Sequence, residues 1–254
     1  MSILYGPVPS WRLGRSLGID LLSTATNTCS FDCAYCQLGP TISPQTERTE
    51  FVSLTELAKE LESVRHVPAD YATFSGMGEP TLAANLGKAI ETVRATLGLP
   101  VAVLTNSSLM PMEDLRRELG LADLVVAKVD APTEEVFQAV NRPFSAYTLA
   151  QILEGLWRFR AQYRGKLALQ MMFIEENRHC AREMAQIAKE LSPDEVQLNT
   201  PLRPCAVKPL PPEELTAIRG EFSGLKMVTT VYDTAAFKTE ALNPGETARR
   251  RPEA

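Results

Sequence analysis

The sequence predicts an α/β protein built from consecutive β-α units around a parallel sheet, and two observations carry that reading. From about Gly18 to Gly220, short apolar runs alternate with helix-length amphipathic segments. At 254 residues, 44% hydrophobic and 22% charged, the chain can bury a sizeable core and suits one large domain better than two small ones.

In chain order, the candidate strands are 19–24, 71–75, 101–105, 124–129, 167–173 and 196–199. Between the first two, Leu54, Leu57, Ala58, Leu61 and Val64 fall at helical spacing, and Ser53 with Glu56 forms a capping box that starts the helix. Leu86, Ile90, Val93 and Leu97 give the second crossover its core-facing stripe, and Leu149, Ile152, Leu153, Leu156 and Phe159 give the fourth its own. Pro111, Pro132, Pro193 and the Pro211-Pro212 pair fall near helix starts or in loops, where proline is tolerated. Segment 226–232 offers one further strand. Residues 1–17 read as an N-terminal arm, 18–232 as the β-α domain, and 233–254 as a loosely ordered tail, charged and polar from Glu240 on. Six units make either an open six-stranded barrel or a doubly wound sheet, and periodicity does not separate the two.

Composition narrows the function. The formal net charge of −5 is the wrong sign for a typical nucleic-acid binder, and the one tight basic run is Arg249-Arg250-Arg251. The first residues carry no charged leader and no long apolar run, so neither a signal peptide nor a membrane span is expected and the location expected is cytoplasmic. Five cysteines, an odd number and clustered, point to metal or redox chemistry rather than to a disulfide framework.

Three of those cysteines lie in Cys29-Ser30-Phe31-Asp32-Cys33-Ala34-Tyr35-Cys36, with no fourth nearby. A [4Fe–4S] cluster takes a thiolate on each iron, so three close cysteines leave one iron for a small-molecule ligand. The bland alternatives are buried thiols or a three-cysteine zinc site completed by His66 or His179. Cys205 follows the sixth strand and is a conceivable fourth ligand, while Cys180 lies in a helical segment. The other unusual residues also follow strands: Gly76-Met77-Gly78-Glu79-Pro80 after the second, Asn106-Ser107-Ser108 after the third, Lys128 and Asp130 closing the fourth, Gln170 and Met172 on the fifth, and Asn199-Thr200 closing the sixth. In β/α barrels chemistry sits at those ends, so they converge on one rim. Each has a structural reading beside the functional one: a tight turn for 76–80, turn residues for 106–108, a buried ion pair for Lys128 and Asp130, and a core hydrogen bond for Gln170.

The cysteine spacing, with Tyr35 before the last cysteine, resembles the radical S-adenosylmethionine (SAM) superfamily, and Gly76-Met77-Gly78-Glu79-Pro80 resembles its Gly-Gly-Glu-Pro motif, here interrupted by Met77. The resemblance implies a partial (β/α)6 TIM-like barrel with parallel strands, a [4Fe–4S] cluster on Cys29, Cys33 and Cys36, and SAM on the fourth iron. It makes Cys205 a bystander or a substrate-facing thiol. It places Gly76, Gly78 and Glu79 on the methionine end, Tyr35 against the adenine, and Asn106, Lys128, Asp130 and Gln170 among the contacts to SAM or substrate. The implied activity is reductive cleavage of SAM to a 5′-deoxyadenosyl radical acting on an organic substrate, with a flavodoxin- or ferredoxin-type electron donor and no membrane.

The stretch Tyr5-Gly6-Pro7-Val8-Pro9-Ser10-Trp11-Arg12-Leu13-Gly14-Arg15-Ser16 reads as an arm closing the barrel floor, or as an anion-contacting lid through Arg12 and Arg15. Together with residues 27–39 and Asn141-Arg142-Pro143, it resembles a group related to the tRNA wybutosine-synthesis radical SAM enzyme. That likeness implies tRNA base modification as an alternative activity; a non-catalytic iron–sulfur electron or cluster carrier is the alternative from another class.

Overall fold

The computed structural model describes residues 2–234 and 238–252. The strands are β1 (Leu4–Ser10), β2 (Gly14–Ile19), β3 (Thr28–Cys29), β4 (Ser43–Pro44), β5 (Tyr71–Phe74), β6 (Val101–Thr105), β7 (Leu124–Lys128), β8 (Lys166–Met172), β9 (Glu195–Asn199) and β10 (Val228–Thr230). The helices are α1 (Leu54–Ser63), α2 (Leu86–Leu97), α3 (Glu113–Leu119), α4 (Glu134–Val140), α5 (Leu149–Gln162), α6 (Ala181–Leu191), α7 (Pro212–Glu221) and α8 (Pro244–Arg250). Eight strands form one sheet in the order β1-β2-β5-β6-β7-β8-β9-β10, and β3 pairs with β4 apart from it. β1 runs antiparallel to β2 and every other neighbouring pair in the large sheet is parallel. The sheet curls into the expected partial barrel.

The central strands are apolar on both faces, as strands covered by helices outside and filled inside must be; Val125, Val126 and Ala127 of β7 are all buried. The crossover helices begin where caps allow. Ser53 and Glu56 form the expected box at α1, and Thr148 with Gln151 forms a second at α5. Leu86, Ile90 and Val93 of α2 and Leu149, Ile152, Leu156 and Phe159 of α5 are buried, so both stripes face the core.

Two expectations at the chain's ends are corrected. The first parallel strand is 14–19 rather than 19–24, because Asp20 ends it: its Oδ1 accepts the backbone N–H groups of Leu22 (3.2 Å) and Ser23 (3.0 Å) and turns the chain toward the cysteines. The domain boundary drawn before residue 18 therefore falls inside β2, and the N-terminal arm is strand β1. Pro7 and Pro9 are compatible with it because β1 is an edge strand, where a missing N–H is tolerated.

The loose tail expected over 233–254 is instead docked; within it 235–237, 253 and 254 lie outside the described residues. Leu242 N–H donates to Gly6 O at 2.6 Å and Thr239 Oγ1 donates to Pro7 O at 2.7 Å, so this segment covers the barrel's open edge at β1. Its anchor is Arg250, which is 1% exposed and donates through Nε to Asp20 Oδ2 (2.8 Å) and through Nη2 to Ser2 O (2.7 Å). Among the described residues no helix is long and apolar enough to cross a membrane.

Candidate active site

The loop after β2 carries the three cysteines, and its neighbours fix it. Thr28 N–H donates to Met77 O (2.9 Å) and Glu79 N–H to Thr28 O (3.3 Å), laying the 76–80 loop against the entry to Cys29. Gly78 (φ +147°) has to be glycine, since a Cβ there would lie 1.6 Å from Thr28 O, and at Gly76 (φ +152°) it would lie 2.3 Å from Asp20 Cγ. These glycines thus admit the protein's own loops at close range.

Each cysteine sulfur receives one asparagine amide: Asn106 Nδ2 to Cys29 (3.5 Å), Asn141 Nδ2 to Cys33 (3.5 Å), and Asn27 Nδ2 to Cys36 (3.6 Å). Such donors fix sulfur orientation and favour its thiolate form. Burial pushes all three thiols up, Cys33 to about 11, with Glu79 adding to the effect at Cys29 and Lys128 partly opposing it at Cys33. A metal bound there would have to displace the thiol protons. Among the described residues no three His, Cys, Asp or Glu side chains are placed to hold one metal ion, and His66 and His179 are both exposed. The three thiols are half-buried, each with its own amide donor, and soft thiolates with outer-shell donors are the ligand chemistry of an iron–sulfur site. Cys205 donates to Val207 O (3.2 Å) within its own loop, and Cys180 is buried against the core.

Glu79 is 2% exposed and its carboxylate is fully engaged. Oε1 accepts from Thr81 N (3.1 Å), Thr81 Oγ1 (2.6 Å) and Thr105 Oγ1 (2.7 Å), and Oε2 accepts from Asn106 N (2.6 Å). Burial raises its pKa in spite of these donors. Glu79 therefore ties the 76–80 loop to the end of β6 and sets Asn106 over Cys29. Asn106 also donates to Ser30 Oγ (3.0 Å), and Ser108 pairs with the same hydroxyl (2.6 Å).

Lys128, Asp130 and Tyr35 come together as one cluster. The Tyr35 hydroxyl donates to Asp130 Oδ2, which also accepts Asn141 Nδ2 (2.9 Å), while Oδ1 accepts Met172 N (2.8 Å). Lys128 Nζ donates to the Tyr35 hydroxyl at 2.7 Å and lies 3.8 Å from Asp130 Oδ2. Lys128 stands opposite Gln170 in the β7–β8 register, so both side chains share one face. Tyr35, Cys36, Lys128 and Gln170 line a cavity of about 690 Å³, together with Trp11, Arg12, Arg203 and Arg251 among others. The size is that of a small-molecule site. Arg15 is elsewhere, in an exposed pair with Asp70 (2.7 Å).

Asn27 and Asn141 were not among the individual site residues read from the sequence, although both lie in segments that carried the family resemblance. Arg251 was read only as part of an end run. Nothing in local sequence marks an asparagine that reaches a sulfur 108 residues away, as Asn141 does.

The sequence profile of the Radical SAM superfamily matches residues 23–188. A UPF0026 protein of Methanocaldococcus jannaschii is 40% identical over 225 residues, covering 86% of this chain and 69% of the relative. Among solved structures, Streptococcus suis SuiB bound to precursor peptide SuiA superposes with a TM-score of 0.64 at 11% identity, covering 84% of this chain and 48% of SuiB. The anSMEcpe protein with bound AdoMet superposes with a TM-score of 0.61 at 17% identity, covering 82% of this chain and 58% of that one. The chain thus spans about half the length of these solved structures, and at such identities the likeness is one of fold.

Proposed function

The chain belongs to the radical SAM superfamily, and from that premise we propose that Cys29, Cys33 and Cys36 hold a [4Fe–4S] cluster and that SAM and an organic substrate share the adjoining cavity. As a member of that superfamily the protein is an enzyme, with the cluster and SAM as its cofactors, and the carrier alternative falls away. The observation that supports this ligand set is that the three thiols on one loop at the carboxyl end of β2 are each met by an asparagine amide, brought from that loop (Asn27), the end of β6 (Asn106) and the end of α4 (Asn141).

When bound, cluster and SAM supply reductive cleavage of SAM to a 5′-deoxyadenosyl radical, which takes a hydrogen atom from the substrate. The chain's residues position and shield. Asn27, Asn106 and Asn141 orient the sulfurs. Glu79 holds the 76–80 loop, whose backbone then faces the methionine end. Lys128 offers its ammonium to the SAM carboxylate or ribose, with Tyr35 and Asp130 fixing it. Gln170 brings a spare amide to the same wall. The reductant is external, a flavodoxin or ferredoxin in a cytoplasmic setting.

Electron paramagnetic resonance of the anaerobically reconstituted, reduced protein, with and without SAM and followed by assay for 5′-deoxyadenosine, tests the proposal. A [4Fe–4S] signal that shifts with SAM, together with that product, is the expected result; a cluster indifferent to SAM overturns it. The finer resemblance to the wybutosine-synthesis group makes a tRNA base the alternative substrate, against which the net charge of −5 weighs. Filter binding to tRNA at low salt decides between them, since a phosphate-dominated complex appears there and weakens steeply as salt is added.

A further inference from the structure

The tail's anchor meets both ends of the loop that carries the cysteines. At the start of that loop Asp20 is buried, and its two oxygens take four donors: Oδ1 accepts the N–H groups of Leu22 and Ser23, and Oδ2 accepts Met77 N–H (3.2 Å) and Arg250 Nε (2.8 Å). One carboxylate thus joins the turn into the cysteines, the 76–80 loop and the tail. At the far end Gln37 follows Cys36 directly, and its Nε2 donates to Arg250 O at 2.9 Å. Between these points Arg249 Nη2 donates to Thr24 O at 2.6 Å.

A further contact leads toward the 76–80 loop. The Arg250 guanidinium lies 5.2 Å from the centre of the Tyr5 ring, and the Tyr5 hydroxyl pairs at 2.6 Å with Ser75 Oγ, one residue before Gly76. Arg250 is itself held, by Glu246 Oε2 (2.5 Å) within α8 and by Ser2 O (2.7 Å). Residues 20–37 contain no helix and a single two-residue strand, so side-chain ties set the loop's shape. A buried network satisfied in this way rigidifies the segments it joins.

We propose that Arg250 is a positioning residue for the cofactor site: through Asp20 and Gln37 it holds the cysteine loop and the 76–80 loop in place relative to each other. The inference rests on those loops being where cluster and SAM bind. It adds to the site a helix, α8, that lies outside residues 23–188 matched by the family profile. A tail that only covered the edge of the barrel would act through its contacts to β1, such as Thr239 to Pro7 O, and leave both loops unaffected.

Hydrogen–deuterium exchange of the full chain without cluster tests the tie in wild type, Arg250→Gln, Gln37→Glu and Thr239→Val. Gln37→Glu removes the donor to Arg250 and keeps the acceptor that meets Arg203 Nη1 (3.4 Å). We expect Arg250→Gln to speed exchange in 20–37 and 75–79 while β6, β7 and β8 stay protected, Gln37→Glu to speed it next to Cys36, and Thr239→Val to match wild type in both loops. In reconstituted protein, iron loss to a timed chelator challenge should be about tenfold faster in Arg250→Gln, the low end of the usual cost of an outer-shell partner. If Arg250→Gln does not fold, Arg250→Lys and Gln37→Glu carry the test; the lysine keeps the charge but not the fork, so its exchange should lie above wild type in both loops. Loop exchange equal to wild type in the Arg250 and Gln37 variants, a rise spread evenly over the strands, or the same rise in Thr239→Val each overturns the positioning role. The cluster reading is scored separately: loosened loops in a chain that takes up no iron–sulfur cluster sink only that reading, and a SAM-responsive cluster in a chain whose loops ignore Arg250 sinks only the positioning role.

Discussion

The buried acids of the cysteine rim and the buried donors beside the adjoining cavity are treated differently. On the rim, buried acids are spent on the protein itself. Glu79 accepts four hydrogen bonds, Asp130 joins Tyr35, Asn141 and Met172, and Asp20 joins Leu22, Ser23, Met77 and Arg250. At residues that line the cavity, buried Nε of Arg12 and Nε2 of Gln170 have no hydrogen-bond partner among the described residues. A satisfied buried network rigidifies what it touches, whereas an unsatisfied donor is tolerated where a ligand completes it. On the function proposed above, the rim serves as a fixed holder for a permanent group and the cavity as a receptor for exchangeable ones.

The contrast breaks most visibly at the thiols. Cys33→Ala should abolish both the iron–sulfur absorption of the reconstituted protein and 5′-deoxyadenosine formation; undiminished cleavage would remove the cysteine loop from the chemistry. Next comes Asp130→Ala, which strands Lys128, Tyr35 and Asn141 together. Loss of one partner from such a buried network costs about 3–5 kcal/mol, to be read as a lower denaturation midpoint in urea with or without cluster. A midpoint equal to wild type would mean that the rim is not held from within.

Asn106→Ala and Asn141→Ala remove one sulfur donor each and should lower cluster affinity by roughly 10- to 100-fold, the usual toll of losing an outer-shell partner. Iron retained after a timed chelator challenge measures this. Gln170→Met sharpens the contrast from the cavity side. With no partner for its Nε2, the change should alter stability by less than about 1 kcal/mol while weakening SAM binding in equilibrium dialysis. A large loss of stability would show that Gln170 belongs to the rim's network after all. At the small end, Arg15→Ala, at an exposed pair, should leave the melting temperature and SAM cleavage unchanged.

Much of this was legible in the chain. The interior strands and the stripes of α1, α2 and α5 follow from periodicity, because each element carries its own burial pattern. The two ends were harder. Gly14-Arg15-Ser16-Leu17-Gly18-Ile19 has two glycines and polar residues, and 4–10 has two prolines, so neither reads as strand. They pair because each supplies the other's edge. Arg249-Arg250-Arg251 reads as a solvated basic run, yet Arg250 is buried against an aspartate 230 residues away.

At the site, the sequence singled out Glu79, Asp130, Gly76 and Gly78, while their neighbours decided what they touch. Glu79 and Asp130 bind the protein's own donors, and the glycines make room for Thr28 and Asp20.

By itself, then, the sequence determined the β-α order, the family and the three cysteines, since these are properties of spacing along one chain. Only the tertiary structure decided that Asn27, Asn106 and Asn141 each serve one sulfur, that Arg12 faces a cavity while Arg15 faces water, and that the tail delivers Arg251 to that cavity. Those outcomes depend on which loops the curled sheet brings within hydrogen-bond reach, and local spacing does not encode a distance between residues far apart in the chain.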